Sequence, residues 1–368
     1  MNTEILGIVA MFVLTVLLAL PLGRYMAKVF SNEPTFLDPI FNPIERAFFK
    51  ISGIDASQEQ TWKQQMVSML TINFVWFLLG MLILMNQGSL PLNPDNNPSQ
   101  SAHLAFNTTI SFLVNCNLQH YSGESGLSYL GQLFLMFLQF VSAATGIAAA
   151  VTLFYALRKG SYEKLGNFYN FFLKSATRVL LPICIIFATI LLLNGTPMTM
   201  EGKGQMITMQ GDTTQVSTGP VAAFVAIKHL GTNGGGFYGA NSAHPLENPN
   251  YLTNMVEMVS QMLIPFAMIF ALGYFLNRKK LAWSIFAVMT IGFLLLTIPT
   301  VYNEMNGNPN IAKMGIDNSL GAMEGKEVRF GAPASAYWSI GTTVISTDRK
   351  STRLNSSHST LSRMPSSA

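Results

Sequence analysis

Three short tracts place neutral oxygen donors directly after apolar stretches. Asn115, Cys116 and Asn117 follow residues 103–114; Thr232, Asn233, Gly234, Gly235 and Gly236 follow 220–230; Ser346 and Thr347 follow 334–345. Each apolar stretch is too short to cross a bilayer, which takes about 20 residues. A short helix that enters a membrane and stops midway points its partially negative C-terminal end at the membrane centre, which favours a cation there. The loop beyond it can offer backbone carbonyls in place of a hydration shell. Glycine reaches the backbone angles that turn successive carbonyls to one side, and the hydroxyls of Thr232 and Ser346 add further oxygens. Neutral oxygens without a carboxylate cluster suit a large, weakly hydrated monovalent cation better than calcium or magnesium, whose ligand sets carry more charge.

Such loops need a membrane scaffold, and the composition supplies one. The 368 residues are 49% hydrophobic and 11% charged, with mean hydropathy +0.34, whereas soluble domains carry about 25% charged residues. Disorder and a disulfide scaffold are excluded, since Cys116 and Cys184 alone cannot staple a chain of this length. Six stretches are apolar and long enough, or nearly so, to span: 5–22, 66–85, 127–157, 171–193, 255–276 and 281–299. The first has no basic residues before it and reads as a retained helix rather than a signal peptide. Irregular backbone at membrane depth is tolerated only where it lines a protein-enclosed path. The expected fold is therefore an all-α polytopic membrane protein built on a helix, short re-entrant helix, helix plan. Residues 1–65 form an N-terminal span and its connection, 66–158 a first repeat, 159–280 a second, and 281–347 a third, incomplete one.

The cations orient this plan. Arg24, Lys28, Arg46, Lys50 and Lys63 follow the first span, Arg158, Lys159, Lys164, Lys174 and Arg178 surround the third-to-fourth connection, and Arg278, Lys279 and Lys280 follow the fifth. The alternate connections hold fewer: none in 86–102, Lys203 and Lys228 in 194–231, and Lys313, Lys326 and Arg329 in 302–333. By the positive-inside rule the first group is cytoplasmic and the N-terminus is outside. The formal charge of +4 is no sign of nucleic acid, because the polar tail supplies Arg349, Lys350, Arg353 and Arg363 against Asp348. Neither a Gly-x4-Gly-Lys-Ser/Thr loop nor the Asp-Lys-Thr-Gly phosphorylation sequence of P-type ATPases is present, so any ATP dependence must come from another chain. No organic cofactor is expected.

Two longer motifs carry a family resemblance. His229 through Phe237 with Ala240 through Pro249, and Asn115-Cys116-Asn117-Leu118-Gln119-His120-Tyr121-Ser122-Gly123-Glu124, look like the first two filter regions of the potassium-transporting A subunits of bacterial Kdp ATPases. The resemblance runs from the N-terminus to about Thr347. It implies the potassium-transporter superfamily fold: four helix–pore helix–helix repeats behind one extra N-terminal helix, in a bacterial plasma (inner) membrane. It also implies a non-catalytic subunit that selects potassium from outside while a partner P-type ATPase subunit, with small accessory subunits, hydrolyses ATP. Carried over by motif, the potassium filter is Asn115, Cys116, Asn117, Thr232, Asn233, Gly234, Ser346 and Thr347, with Gln119, Gly235, Gly236 and Lys228 beside it. The first filter departs from the family pattern Thr-Asn-Thr-Asn-Trp-Gln, since Val114, Cys116 and Leu118 stand at the two Thr and the Trp. A stand-alone potassium channel or symporter of the same superfamily is the competing reading.

Several single residues carry further expectations. Lys228, four residues before Thr232, is expected to pair with a loop carboxylate, Glu124 or Glu247, rather than to act as a positive barrier. Glu257 reads as a solvated interfacial group, Arg178 as a side chain snorkelling to the cytoplasmic face, Cys184 as packing, and His120 and His244 as hydrogen-bonding groups of the outer vestibule. From Asp348 onward the serine-rich, charged sequence breaks off where a pore loop should continue. It reads as foreign to the fold, so the encoded loops alone would not close a four-sided filter.

Overall fold

The computed structural model describes residues 3–116, 118–160, 163–207, 210–315, 317–345 and 347. Among them, six helical stretches are long and apolar enough to cross a membrane. They are α1 (Thr3–Phe30), α3 (Trp62–Asn86), α6 (Tyr129–Lys159), the continuous span made by α7 (Phe168–Lys174) and α8 (Leu181–Leu193), α10 (Tyr251–Phe275) and α11 (Lys279–Asn306). Three shorter helices each follow a span: α4 (Ala102–Leu113), α9 (Val221–Leu230) and α13 (Gly331–Val344). The remaining helices are α2 (Asp38–Ser52) after the first span, the single turn α5 (Gly123–Gly126) and α12 (Pro309–Lys313). All six expected spans and all three short segments are present, each within a few residues of its expected bounds except α1 and α11, which run eight and seven residues further at their C-terminal ends.

Local sequence explains where the helices start. Asn250 Oδ1 accepts from the Thr253 backbone N–H at 3.0 Å while Thr253 Oγ1 accepts from Asn250 N–H at 3.0 Å, a capping box that opens α10. Thr61 and Gln64 do the same for α3, and Ser101 and Ser128 cap α4 and α6. Between α7 and α8 the ladder widens to a π turn, Ser175–Leu180. Pro182 has no N–H for the Arg178 carbonyl four residues back, and Tyr25 Oη on α1 donates to that carbonyl instead, at 3.2 Å.

The core lies where α1 runs along α10, with α9 and α13 inserted beside α10. Gly23 permits the close approach of α1, since a Cβ there would sit 2.7 Å from both the Ala267 carbonyl and Phe270 Cβ. Phe12 packs edge-on against Phe266 and stacks on Phe293 of α11, and Phe293 meets Tyr337 of α13. One element departs from the all-α expectation. The connection from α8 to α9 carries an antiparallel hairpin, β1 (Gly204–Ile207) paired with β2 (Thr213–Val216) in the register Gly204↔Val216. Its strands alternate too briefly to register as strands in the sequence, and they lie exposed.

Candidate ion-binding site

The three short helices end alike. One residue past each last helical position a backbone N–H closes onto the carbonyl four back: Val114 to Ile110 at 2.9 Å, Gly231 to Ile227 at 2.7 Å, and Ile345 to Gly341 at 3.3 Å. The next residue then turns into the left-handed region in the first two loops, Asn115 and Thr232 each at φ 54°. After it the chain doubles back in the same way, Cys116 N–H to the Ser111 carbonyl at 2.9 Å and Asn233 N–H to the Lys228 carbonyl at 3.1 Å. The repeat visible in sequence is thus a repeat of backbone path. Asparagine tolerates a positive φ; for a β-branched threonine it is an outlier that its surroundings must hold in place.

Asn115 joins the two loops. Its Nδ2 donates to the Gly231 carbonyl at 3.0 Å and to Thr232 Oγ1 at 3.3 Å, and its Oδ1 accepts from Ser142 Oγ at 3.1 Å and Asn233 Nδ2 at 3.3 Å. Asn233, fully buried, also donates to the Phe112 carbonyl at 3.1 Å. Among the described residues nothing donates to the carbonyls of Asn115, Thr232, Asn233 or Gly234. Of the carbonyls that follow, three are committed: Gly235 to Gln139 Nε2 at 2.8 Å, Phe237 to Gln132 Nε2 at 3.0 Å and Tyr238 to Gln119 Nε2 at 3.3 Å. One carbonyl of the first loop and three successive carbonyls of the second therefore keep oxygen lone pairs available just past the C-terminal ends of α4 and α9.

The other expected site residues are placed as follows. The Cys116 carbonyl accepts from both Ser111 Oγ and the Leu118 N–H. Both its lone pairs are thereby used within the protein, unlike the open carbonyl expected at that position. Gln119 is buried beside the second loop, its Oε1 accepting from Gly236 N–H at 2.9 Å. The three glycines serve different ends. Gly234 adopts φ 86°, while Gly235 and Gly236, expected to share such angles, do not and instead supply room, since a Cβ there would press on the Phe112 ring or on the Asn241 amide, respectively. Thr347 is buried. Asn117, Ser346 and the tail from Asp348 lie outside the described residues.

A buried ionic layer backs the second loop. Lys228 Nζ lies 2.6 Å from Glu247 Oε2 and 2.8 Å from Ser242 Oγ, with both charged side chains shut from solvent. The expected ion pair is present, with Glu247 as partner; Glu124 instead accepts from Gly239 N–H at 2.8 Å. Glu247 Oε1 accepts from Tyr238 N–H at 2.9 Å, so one carboxylate ties α9 to the chain leaving the second loop.

Two expectations fail here. Glu257 is buried, not interfacial, and its Oε2 lies 2.8 Å from His229 Nε2. Six residues inside α10 it faces α9, which covers it. Arg178 does not snorkel: it is buried and holds Glu45 through Nε at 2.7 Å and Nη2 at 2.6 Å, Asp38 at 2.5 Å and Asn42 at 2.6 Å. All three partners stand on α2, a helix with no counterpart among the expected elements. Cys184 is buried in α8 as expected. The His244 ring stacks on Tyr238 at 3.7 Å and its Nδ1 accepts from Leu246 N–H at 3.1 Å; burial pushes its imidazole below the usual range. His120 is exposed.

The family model described as KdpA, potassium-transporting ATPase A subunit, matches residues 9–365. The chain belongs to the KdpA family. Curated KdpA relatives named potassium-transporting ATPase potassium-binding subunit include those of Flavobacterium johnsoniae, 65% identical over 347 residues, and Phocaeicola vulgatus, 54% identical over 347. A more distant one, from Caldanaerobacter subterraneus, is 42% identical over 348 residues. Each alignment covers 94% of this chain and 61% of the relative, so the chain spans about three fifths of the length of the KdpA proteins it matches.

Proposed function

We propose that this chain binds and selects potassium as part of an ATP-driven uptake complex, with Asn115, Asn117, Thr232, Asn233, Gly234, Ser346 and Thr347 forming the filter. The observation that carries this reading is the set of unclaimed carbonyls at Asn115, Thr232, Asn233 and Gly234, at the C-terminal ends of α4 and α9. Dehydrating a cation costs free energy that uncommitted carbonyl dipoles can offset, and the negative ends of two short helices add to the field. Cys116 contributes by shape: its carbonyl is turned onto Ser111, which fixes the direction of its neighbours. Gln119, Gly235, Gly236 and Lys228 shape the loop from behind.

The same reading gives the chain no catalytic residue. ATP hydrolysis belongs to a P-type partner subunit, accompanied by small accessory subunits, in the inner membrane with the N-terminus of this chain outside. The names carried by its relatives favour that arrangement over a stand-alone channel or symporter. The shared endings of α4, α9 and α13 support a domain plan of one leading span and successive repeats.

Calorimetric titration of the full-length protein with potassium and with sodium tests the filter. Saturable potassium binding that sodium displaces only in large excess is expected, and equal binding of the two ions overturns it. Co-purification of a P-type ATPase subunit from membranes tests the partner.

A further inference from the structure

The function described above makes no use of α2, and its surface is divided in an unusual way. Asp38, Asn42 and Glu45 fall on one side and are drawn inward onto Arg178. At about 100° per residue, Ile40, Ile44, Phe48 and Ile51 fall on the opposite side. Together with Phe36 just before the helix they form a line of large apolar side chains, 43% to 88% exposed. Arg46 and Lys50, both exposed, stand along one edge of that line. Of the four charged groups of α2, the two acids are consumed inside and the two cations face out.

The depth of this face is fixed by its neighbours. Counting about 20 residues for the hydrocarbon core from Ile5, where α1 turns apolar, brings α1 to the far interface near Tyr25. Tyr25 Oη donates to the Arg178 carbonyl, and the Phe36 ring lies 5.4 Å from that of Tyr25. The apolar line of α2 is therefore continuous with the lipid-facing surface of α1, where Leu14, Leu17 and Leu18 are exposed. A helix with a strong apolar face, cations at its edge and a fixed polar back has the build of an interfacial helix, and outward Lys and Arg beside a membrane attract anionic headgroups.

We propose that α2 lies in the membrane surface on the side to which Arg24, Lys28, Arg46 and Lys50 sort, with Phe36, Ile40, Ile44, Phe48 and Ile51 among acyl chains and Arg46 and Lys50 against anionic lipid headgroups. Arg178 is the bolt that transmits the position of this surface helix to the π turn in the α7–α8 span. The proposal is independent of what ion the protein carries.

The test places an environment-sensitive nitrobenzoxadiazole label at Ile40→Cys, Ile44→Cys or Ile51→Cys of the full-length protein; Cys116 and Cys184 are buried, and unsubstituted protein is the labelling control. The labelled protein is reconstituted in phosphatidylcholine vesicles with and without one quarter phosphatidylglycerol. Blue-shifted emission, quenched severalfold more strongly by doxyl-labelled lipid than by iodide and more strongly with phosphatidylglycerol than without, is expected. Dominant iodide quenching would place the face in water, and protection from both quenchers would place it under protein; either overturns the proposal. Equal quenching in both lipid compositions overturns the role given to Arg46 and Lys50.

Discussion

Asn115 and Thr232 hold the same position in successive repeats, share a φ of 54°, and touch: Asn115 Nδ2 lies 3.3 Å from Thr232 Oγ1. The first loop thus carries a side chain that recognises its own counterpart in the second. Replacing Asn115 with Ala would leave Asn233 Nδ2 short of one acceptor and free the Gly231 carbonyl. A loss of about 1–3 kcal/mol is expected, the usual cost of orphaning buried polar groups, read as a lowered thermal midpoint in detergent together with weaker potassium binding.

Gly123 meets the chain just past the Gly234–Gly236 run, where a Cβ would collide with the Phe237 carbonyl. Because the obstacle is backbone rather than a side-chain tip, Gly123→Ala is expected to cost about 3 kcal/mol, the upper part of the range for overpacking. Thermal unfolding beside the parent protein measures it.

Lys228 and Glu247 form a pair shut away from water at 2.6 Å. Removing one partner strands a charge, so Lys228→Met and Glu247→Gln are each expected to destabilise, the first by about 3–5 kcal/mol. The double variant should recover part of that loss. A double-mutant cycle with strictly additive effects would deny the coupling.

Arg178→Ala should release α2, with a loss of about 3–5 kcal/mol since Glu45 is buried with it. Proteolysis between α1 and α3 is the readout. The anchoring also depends on pH in a definite sense. Thr35 donates to Asp38 through Oγ1 at 2.6 Å and its N–H at 3.0 Å, and these bonds, with Arg178 beside them, hold the Asp38 carboxyl below its usual range. A depressed folded-state value means stability present above the ordinary carboxylate range and lost as pH falls through the lower one. Protease sensitivity of this segment should therefore rise only in strong acid, and Thr35→Ala should move the onset to higher pH.

Cys116→Thr restores the hydroxyl common in the family pattern. With the Cys116 carbonyl already bound by Ser111 and Leu118, potassium binding is expected to tighten or stay unchanged. Clearly weaker binding on titration would deny that carbonyls alone set the affinity.

The sequence by itself determined the six spans, the three short helices and the loops that follow them, because apolar length and interruption are local properties that a bilayer reads directly. It also determined that Lys228 needed a carboxylate, since a lone charge at that depth is costly. What only the tertiary structure decided is which groups meet. Glu247 rather than Glu124 faces Lys228. Glu257 is covered by α9 and lies beside His229, although nothing in its neighbourhood along the chain distinguishes it from a solvated residue. Arg178 turns inward because α2, more than a hundred residues earlier, brings Asp38, Asn42 and Glu45 to it. The glycines show the same division: the sequence assigned all three one backbone role, which only Gly234 fills with a positive φ, and the room required at Gly235 and Gly236 is set by Phe112 and Asn241. Hydrophobic length is written one residue after another, whereas a hydrogen bond or an ion pair is a property of two places in the chain, and folding alone brings them together.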